Sequence, residues 1–474
     1  MDTSIGLDAR TIADEVRAGK LSAVDVLDEH LARIESHNDA INAMVFLDEA
    51  RARGVAADVD AAVKRGEDPG PLAGVPLGIK ELESVEGWPE TRASTAFKDN
   101  IATHTTTMSA RLLAAGAVPV GLTASPELGL LFFTNSVLHG VTRNPWNLER
   151  TPGGSSGGAA ASLVAGLVAL ATGSDMGGSI RTPSACCGVV GVKGTLGRIP
   201  RGPGYLGGAN LTHYGPLARS VGDAARYLDC AAGVDQRDPM SLPAPEVPFE
   251  RAIEEIDLSG VRVAVLRRNS LSPSEPAVGD VVEAAATTLI AGTGLRRVDG
   301  LALDLPPMLT LGGALVRADW DPTTVDAMPE VMTNMMNTEG AADLLMGSFD
   351  PSALTIEGVA ANHQARHAVN MAIASLFDEV DVILMPTMPM TAFGAAGPIP
   401  RVVDGEEIGP AAPAAFVAPF NFSGNPVVSV PAGFVDGLPV GMQIVARRHD
   451  DALALAVAAR FEELHPWPKL APSS

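Results

Sequence analysis

Two hydrophobic periods alternate along this chain. In "LSAVDVLDEHLARIESHN", Val24, Leu27, Leu31 and Ile34 recur at spacings of three and four, which predicts an amphipathic helix. Ser22 stands at its N-cap position, with Asp25 three residues later as an approximate capping box. "EARARGVAADVDAAVKRGED" continues the helical pattern until "PGPLAG" breaks it. Short apolar runs bounded by turn residues follow. "AGVPLGIKEL", with Lys80 near its end, "VPVGLT" (118–123), "VRVAVLRR" (261–268), "VDVILMPT" (380–387), "NPVVSVPAG" (425–433) and "VGMQIVA" (440–446) predict buried strands. "VGDVVEAAATTLIAG" and "ALALAVAARFEEL" predict helices between or after them. The long small-residue run "GGAAASLVAGLVALATG", from Gly157, reads as one buried helix. Helices alternating with apolar strands make the class α/β, with a central sheet covered by helices.

The hydrophobic fraction of 46% is ample for a large core, but aromatics are only 4%, so Ala, Val, Leu and Met must fill much of it. The 34 basic against 56 acidic residues leave a net charge of −22, which repels phosphate backbones and disfavours nucleic acid as a partner. Cys186, Cys187 and Cys230 are an odd count with no zinc-binding spacing, so three buried thiols are expected, and neither a metal nor another cofactor. "MDTSIGLDAR" has no apolar signal core, and no apolar run is long enough to span a bilayer. A cytoplasmic protein with no membrane partner, monomeric or homodimeric, is expected. "LPAPEVPF" (242–249) reads as a surface crossover. The Met-rich stretch 320–345 reads as a cap over a pocket or an ordinary helix pair with Met as core filler.

The chemistry concentrates in two glycine–serine stretches, "TPGGSSGGAAAS" (151–162) and "GSDMGGSIR" (173–181). "GGSSGG" alone resembles a flexible linker. Embedded in core-like sequence and running into an apolar helix, it reads instead as a loop at a helix N-terminus, where N–H groups favour negative charge. Ser179 follows two glycines, and a serine in such a bend suits a nucleophile beside converging amides. No nearby His, Asp or Glu pattern supplies the usual base.

Together, "AGVPLGIKELESVEGWPETRAS" (73–94), "GVTRNPWNLERTPGGSSGGAAA" (140–161), "ATGSDMGGSIRTPSACCGVVGVKGTLGRI" (171–199) and "FNFSGNPVVSVPAGFVDGLPVGMQIVA" (420–446) resemble the amidase signature family. The likeness covers most of the chain and is weakest between about 240 and 410. It implies one large amidase domain over residues 1–474 with a twisted mixed sheet: N-terminal helices (1–65), a signature core (66–235), a variable substrate-cap region (about 240–410) and a C-terminal return to the sheet (411–474). It also implies a triad without histidine. Ser179 is the nucleophile, Ser155 the bridging serine after a cis peptide bond, and Lys80 the base. Met176, Gly177, Gly178 and Ser179 would supply oxyanion-hole amides, and Asp175 and Arg181 would buttress the loop. Gly129, Leu130, Leu131, Phe132 and Ser156 would contact substrate. Lys80 must be neutral to act as a base, so burial should lower its proton affinity, and Glu81 and Glu83, which would oppose that, should point elsewhere. Glu81, Met176, Ala124 and Gly194 depart from the usual family pattern without touching the triad.

The family cleaves amides of many kinds and, in some branches, carbamates. The nylon-oligomer, aryl-acylamidase and urethanase-like branch is the nearest in appearance. The apolar "GLLFFTN" (129–135) then implies hydrophobic or aryl amides, with esters and urethanes as further substrates. The alternative within the family is the glutamine amidotransferase A-type subunit of a tRNA-dependent transamidosome.

Overall fold

The computed structural model describes residues 4–204, 210–306, 321–342, 355–409 and 412–472. Its centre is an eleven-stranded sheet. In chain order the strands are β1 (Met44–Leu47), β2 (Pro76–Lys80), β3 (Val118–Thr123), β4 (Leu170–Asp175), β5 (Val190–Lys193), β6 (His213–Ala218), β7 (Arg262–Val265), β8 (Arg296–Arg297), β9 (Val382–Pro386), β10 (Val427–Val435) and β11 (Leu438–Ala446). In space they run β1-β3-β2-β4-β6-β5-β10-β11-β9-β7-β8. The β2–β3, β2–β4, β7–β9 and β7–β8 pairs are parallel, and the rest are antiparallel.

Both faces of this sheet are covered, as side-chain alternation shows. In β9, Val382 and Leu384 join a large core built with the helices Pro276–Thr293 and Asp451–Leu464. Ile383 and Met385 point the other way, into a second core under the helix Ile356–Glu379 and the Phe416–Phe422 segment. The helix at Ala23–Ile41 starts as expected, its Ser22 hydroxyl accepting from Asp25 N–H. The N–H groups of Ala23 and Val24 go to Asp60 on the helix Glu49–Lys64.

The run from Gly157 is not one helix. It is a helix only over Gly157–Val164, and its second half is the fully buried β4. Gly166, at φ +73°, ends the helix, with Gly166 N–H donating to Leu163 C=O at 3.1 Å and Leu167 N–H to Ser162 C=O at 2.8 Å. A strand buried on both faces carries no alternation to separate it from a buried helix.

Residues 240–410 do more than cap a pocket, since β7, β8 and β9 come from that range. Residues 242–248 form an exposed connection. Within the Met-rich stretch, whose residues 320 and 343–345 lie outside the described ones, a helix spans Pro322–Asn337. Its Met328, Val331 and Met335 pack against Leu131 and Phe133. Cys186 and Cys187 are buried, whereas Cys230 is only half-buried.

Candidate functional site

Lys80 is the last residue of β2, and Asp175 the last of the adjacent, parallel β4. Ligand sites form where the C-terminal ends of parallel strands open together. Ser155 and Ser156 lead directly into the helix Gly157–Val164. Ser179 lies in the turn between β4 and the helix Arg181–Cys187. One backbone bond ties the two loops: Ser156 N–H donates to Ser179 C=O at 3.0 Å. The Gly154–Ser155 peptide is cis.

Lys80 is fully buried. Its Nζ lies 2.8 Å from Ser155 Oγ, 3.1 Å from Ser174 Oγ and 3.2 Å from Ser174 C=O. A neutral amine has two N–H donors and one lone pair. Giving both donors to Ser174 leaves the lone pair for the Ser155 hydroxyl proton. Burial lowers the Lys80 pKa from 10.5 to about 8, against the pull of the Glu83 and Asp175 charges.

The two acidic neighbours part ways. Glu81 points elsewhere, bonding Thr91, Ala93 N–H at 3.3 Å and His139 Nε2 at 2.6 Å. Glu83, expected to do the same, stays buried beside the lysine instead, because its segment turns inward with Glu83 N–H on Lys80 C=O at 2.8 Å.

Asp175 organises the loop that carries Ser179. One carboxylate oxygen accepts from Gly178 N–H at 2.7 Å, the other from Ile180 N–H at 3.1 Å, and Arg181 closes a two-pronged ion pair at 2.9 and 3.0 Å. Asn421 Nδ2 donates to the Asp175 carboxylate and carbonyl, both at 2.9 Å, and Asn421 Oδ1 accepts from Arg181 at 2.6 Å. Arg181 reaches Val417 C=O at 2.8 Å as well. These donors hold the Asp175 carboxyl far below the usual carboxylate range despite its burial.

This arrangement corrects the expected set of oxyanion donors. Gly178 N–H is taken by Asp175, because a buried carboxylate must be satisfied. Among the described residues, no acceptor takes the N–H groups of Met176, Gly177 or Ser179. The glycine at 178 serves the backbone instead: its φ is +121°, and a Cβ there would stand 2.3 Å from a Val417 methyl.

The expected substrate contacts divide. Gly129 lies against Ser155, where a Cβ would come within 3.1 Å of Ser155 Oγ. Leu128, Leu130 and Phe132 are half-buried, while Leu131 and Phe133 are core residues. Leu131 packs in a core cluster with Phe133, Met328 and Val331. Ser156 is also fully buried, and its hydroxyl, 3.5 Å from Ser174 C=O, ties the loop to β4. Met176 is half-buried against the second core. The sequence alone does not single out Ser174 or Asn421. Ser174 adjoins Asp175 in a glycine–serine stretch, and Asn421 lies in the "FNFSGNP" block, but neither carries a local signal of its partner.

Comparison with known proteins shows the family. The Amidase family model matches residues 25–455. An acylamidase of Rhodococcus erythropolis is 34% identical over 475 residues, covering 98% of this chain and 97% of that protein. The A-type subunit of a glutamyl-tRNA(Gln) amidotransferase from Synechococcus sp. (strain WH7803) is 35% identical over 478 residues, covering 96% of each. The crystal structure of a bacterial aryl acylamidase, of the amidase signature family, superposes with a TM-score of 0.86 at 29% identity, covering 98% of this chain and 97% of that one. The buried lysine and paired serine loops thus sit on a chain that belongs to the amidase signature family, whose enzymes act on amides.

Proposed function

We propose that the protein hydrolyses hydrophobic and aryl carboxylic amides through an acyl-enzyme on Ser179. One observation carries the reading: a fully buried Lys80 amine stands 2.8 Å from Ser155 Oγ, on a loop bonded to the backbone of Ser179. Neutral Lys80 takes the Ser155 proton as Ser155 takes that of Ser179. The Ser179 Oγ–carbon bond forms, and the carbonyl electrons move onto an oxygen held by the Met176, Gly177 and Ser179 amides. Collapse breaks the C–N bond, and the amine leaves with the proton returned from Lys80 through Ser155. Water then repeats the attack, releasing the acid and restoring Ser179.

The half-buried apolar side chains Leu128, Leu130, Phe132 and Met176 around these groups support a hydrophobic acyl or aryl portion. Esters and aryl carbamates fit the same attack, with no metal or other cofactor, in a monomer or homodimer.

A glutaminase role within a tRNA-dependent amidotransferase is the second reading, since a relative of that kind is as similar in sequence as the acylamidase. The test compares kcat/KM of the lone purified chain for 4-nitroacetanilide, a longer acyl anilide, an aryl carbamate and glutamine. The anilides should win. A preference for glutamine of more than about tenfold, roughly 1.4 kcal/mol in transition-state binding, would replace this reading with the second.

A further inference from the structure

Glu83 is 1% exposed, and among the described residues neither carboxyl oxygen has a hydrogen-bond partner. Buried carboxyl groups are ordinarily bonded, and an unpaired buried charge is strongly disfavoured. The groups facing it come from three elements besides its own. Thr172 on β4 accepts from Lys80 N–H at 2.9 Å, and its hydroxyl lies near the Glu83 carboxyl. Tyr214 lies on β6, and Tyr227 on the helix Val221–Ala231. Burial and the nearby Glu83 push both phenols up, so they stay neutral across the working range. Lys80 is the cation facing Glu83.

Two carboxyl groups act on Lys80, Glu83 and Asp175. The Asp175 charge is fully answered by Arg181, Asn421 and two loop amides. Glu83 has no such partners, so its charge is free to change with that of Lys80. Burial raises its carboxyl toward neutrality, and Lys80 opposes that rise.

We propose that Glu83 is a positioning residue that sets the charge of Lys80: as a carboxylate it holds the proton on the lysine, and as a neutral acid it frees the amine to serve as base. The inference rests on Lys80 being the base of the proposed hydrolysis. One unsatisfied buried carboxyl and one buried amine lie three residues apart in one turn of chain, closed by Glu83 N–H on Lys80 C=O. Because the pair shares one low-dielectric space, its protons come off as those of a unit. The direction of the effect follows from charge. A neutral side chain at position 83 removes an attraction for the ammonium, so Lys80 gives up its proton at lower pH.

The experiment measures two quantities for the wild type, Glu83→Gln and Glu83→Met. The first is the pH profile of kcat/KM on an anilide. The second is the titration of the Lys80 side chain by NMR in protein carrying 13C-labelled lysine, with Lys80→Met identifying the resonance. Both variants should move the Lys80 midpoint, and the acidic limb of the profile, to lower pH by about half a unit or more. At pH 6.5 that is about a threefold or larger gain relative to each variant's own alkaline plateau. The apolar variant guards against a fold compromised by an unpaired buried amide. A midpoint and limb that stay in place, or move up, in both variants would overturn the proposal, even with overall activity lower, because Glu83 would then only fill space. If the resonance moves while the limb does not, Glu83 does not act on the reaction through Lys80. If Lys80→Met also remains active, the base assignment itself is wrong.

Discussion

Replacing Lys80 with Met should abolish turnover and make the protein more stable. The amine is fully buried, and its pKa falls from 10.5 to about 8. That difference is equivalent to about 3 kcal/mol between the two protonation states. In the unfolded chain the lysine binds protons up to pH 10.5, whereas in the fold it lets go near 8. The folded state thus binds fewer protons between those values, and stability rises as pH rises through that window. Below it, the fold carries the whole penalty of a buried ammonium. Met fills a similar volume without the charge. Losing the bonds to Ser155 and Ser174 returns about 1–2 kcal/mol of that gain. A net stabilisation of about 1–2 kcal/mol at pH 7 should remain. Thermal and denaturant unfolding of both proteins at pH 7 and pH 10 would measure it, with the advantage of Lys80→Met shrinking at the higher pH. With Lys80 as the proposed base, the same shift should set the activity of the wild type. At pH 7, about 10% of Lys80 is the free base, against about 0.03% for an unperturbed lysine, a gain of about 300-fold. Between pH 6 and 7.5, kcat/KM should rise about tenfold per unit. A flat profile over that range, or a Lys80→Met protein less stable than wild type at pH 7, would refute the reasoning.

Ser179→Ala should lose hydrolysis and labelling by a fluorophosphonate probe while keeping the wild-type unfolding curve. Peptide mapping of the labelled wild type should find the adduct on Ser179. Gly178→Ala should lower kcat by about tenfold or more with a smaller change in KM, because the added methyl meets Val417 at 2.3 Å and shifts the Met176–Ser179 amides. A wild-type kcat would show that loop geometry does not limit the rate. Asp175→Ala leaves Arg181 buried without its ion-pair partner and should destabilise the protein by about 3–5 kcal/mol, measured by denaturant unfolding.

Much of this molecule is legible in its sequence because much of it is periodic. "VPVGLT" is β3 residue for residue, and Ser22 caps its helix as its position implies. The run after Gly157 misleads for a physical reason: β4 is buried on both faces, so nothing but Gly166 divides strand from helix. The positions of Lys80, Ser155 and Ser179 are readable because the motifs that carry them stand in order along the chain. Their supporting groups are not. A glutamate in "KELES" is expected to point away from Lys80, yet the fold buries it. A glycine amide in "GGS" reads as an oxyanion donor until a carboxylate three residues earlier claims it. Such assignments depend on which groups the fold leaves without partners, and no local pattern records that.

Asn421 has a consequence for when the protein becomes an enzyme. The loop bearing Ser179 is braced by Val417 and Asn421, 236 and 240 residues beyond Arg181. On the ribosome, every signature motif up to Arg181 is therefore made long before the brace that shapes it. A nascent or truncated chain ending before Val417 carries Lys80, Ser155 and Ser179 yet lacks the contacts that hold the Asp175–Arg181 pair in place. In a chain that ends there, the Asp175–Arg181 pair lacks the Val417 carbonyl and the Asn421 amide, the two partners it draws from the far end of the sequence.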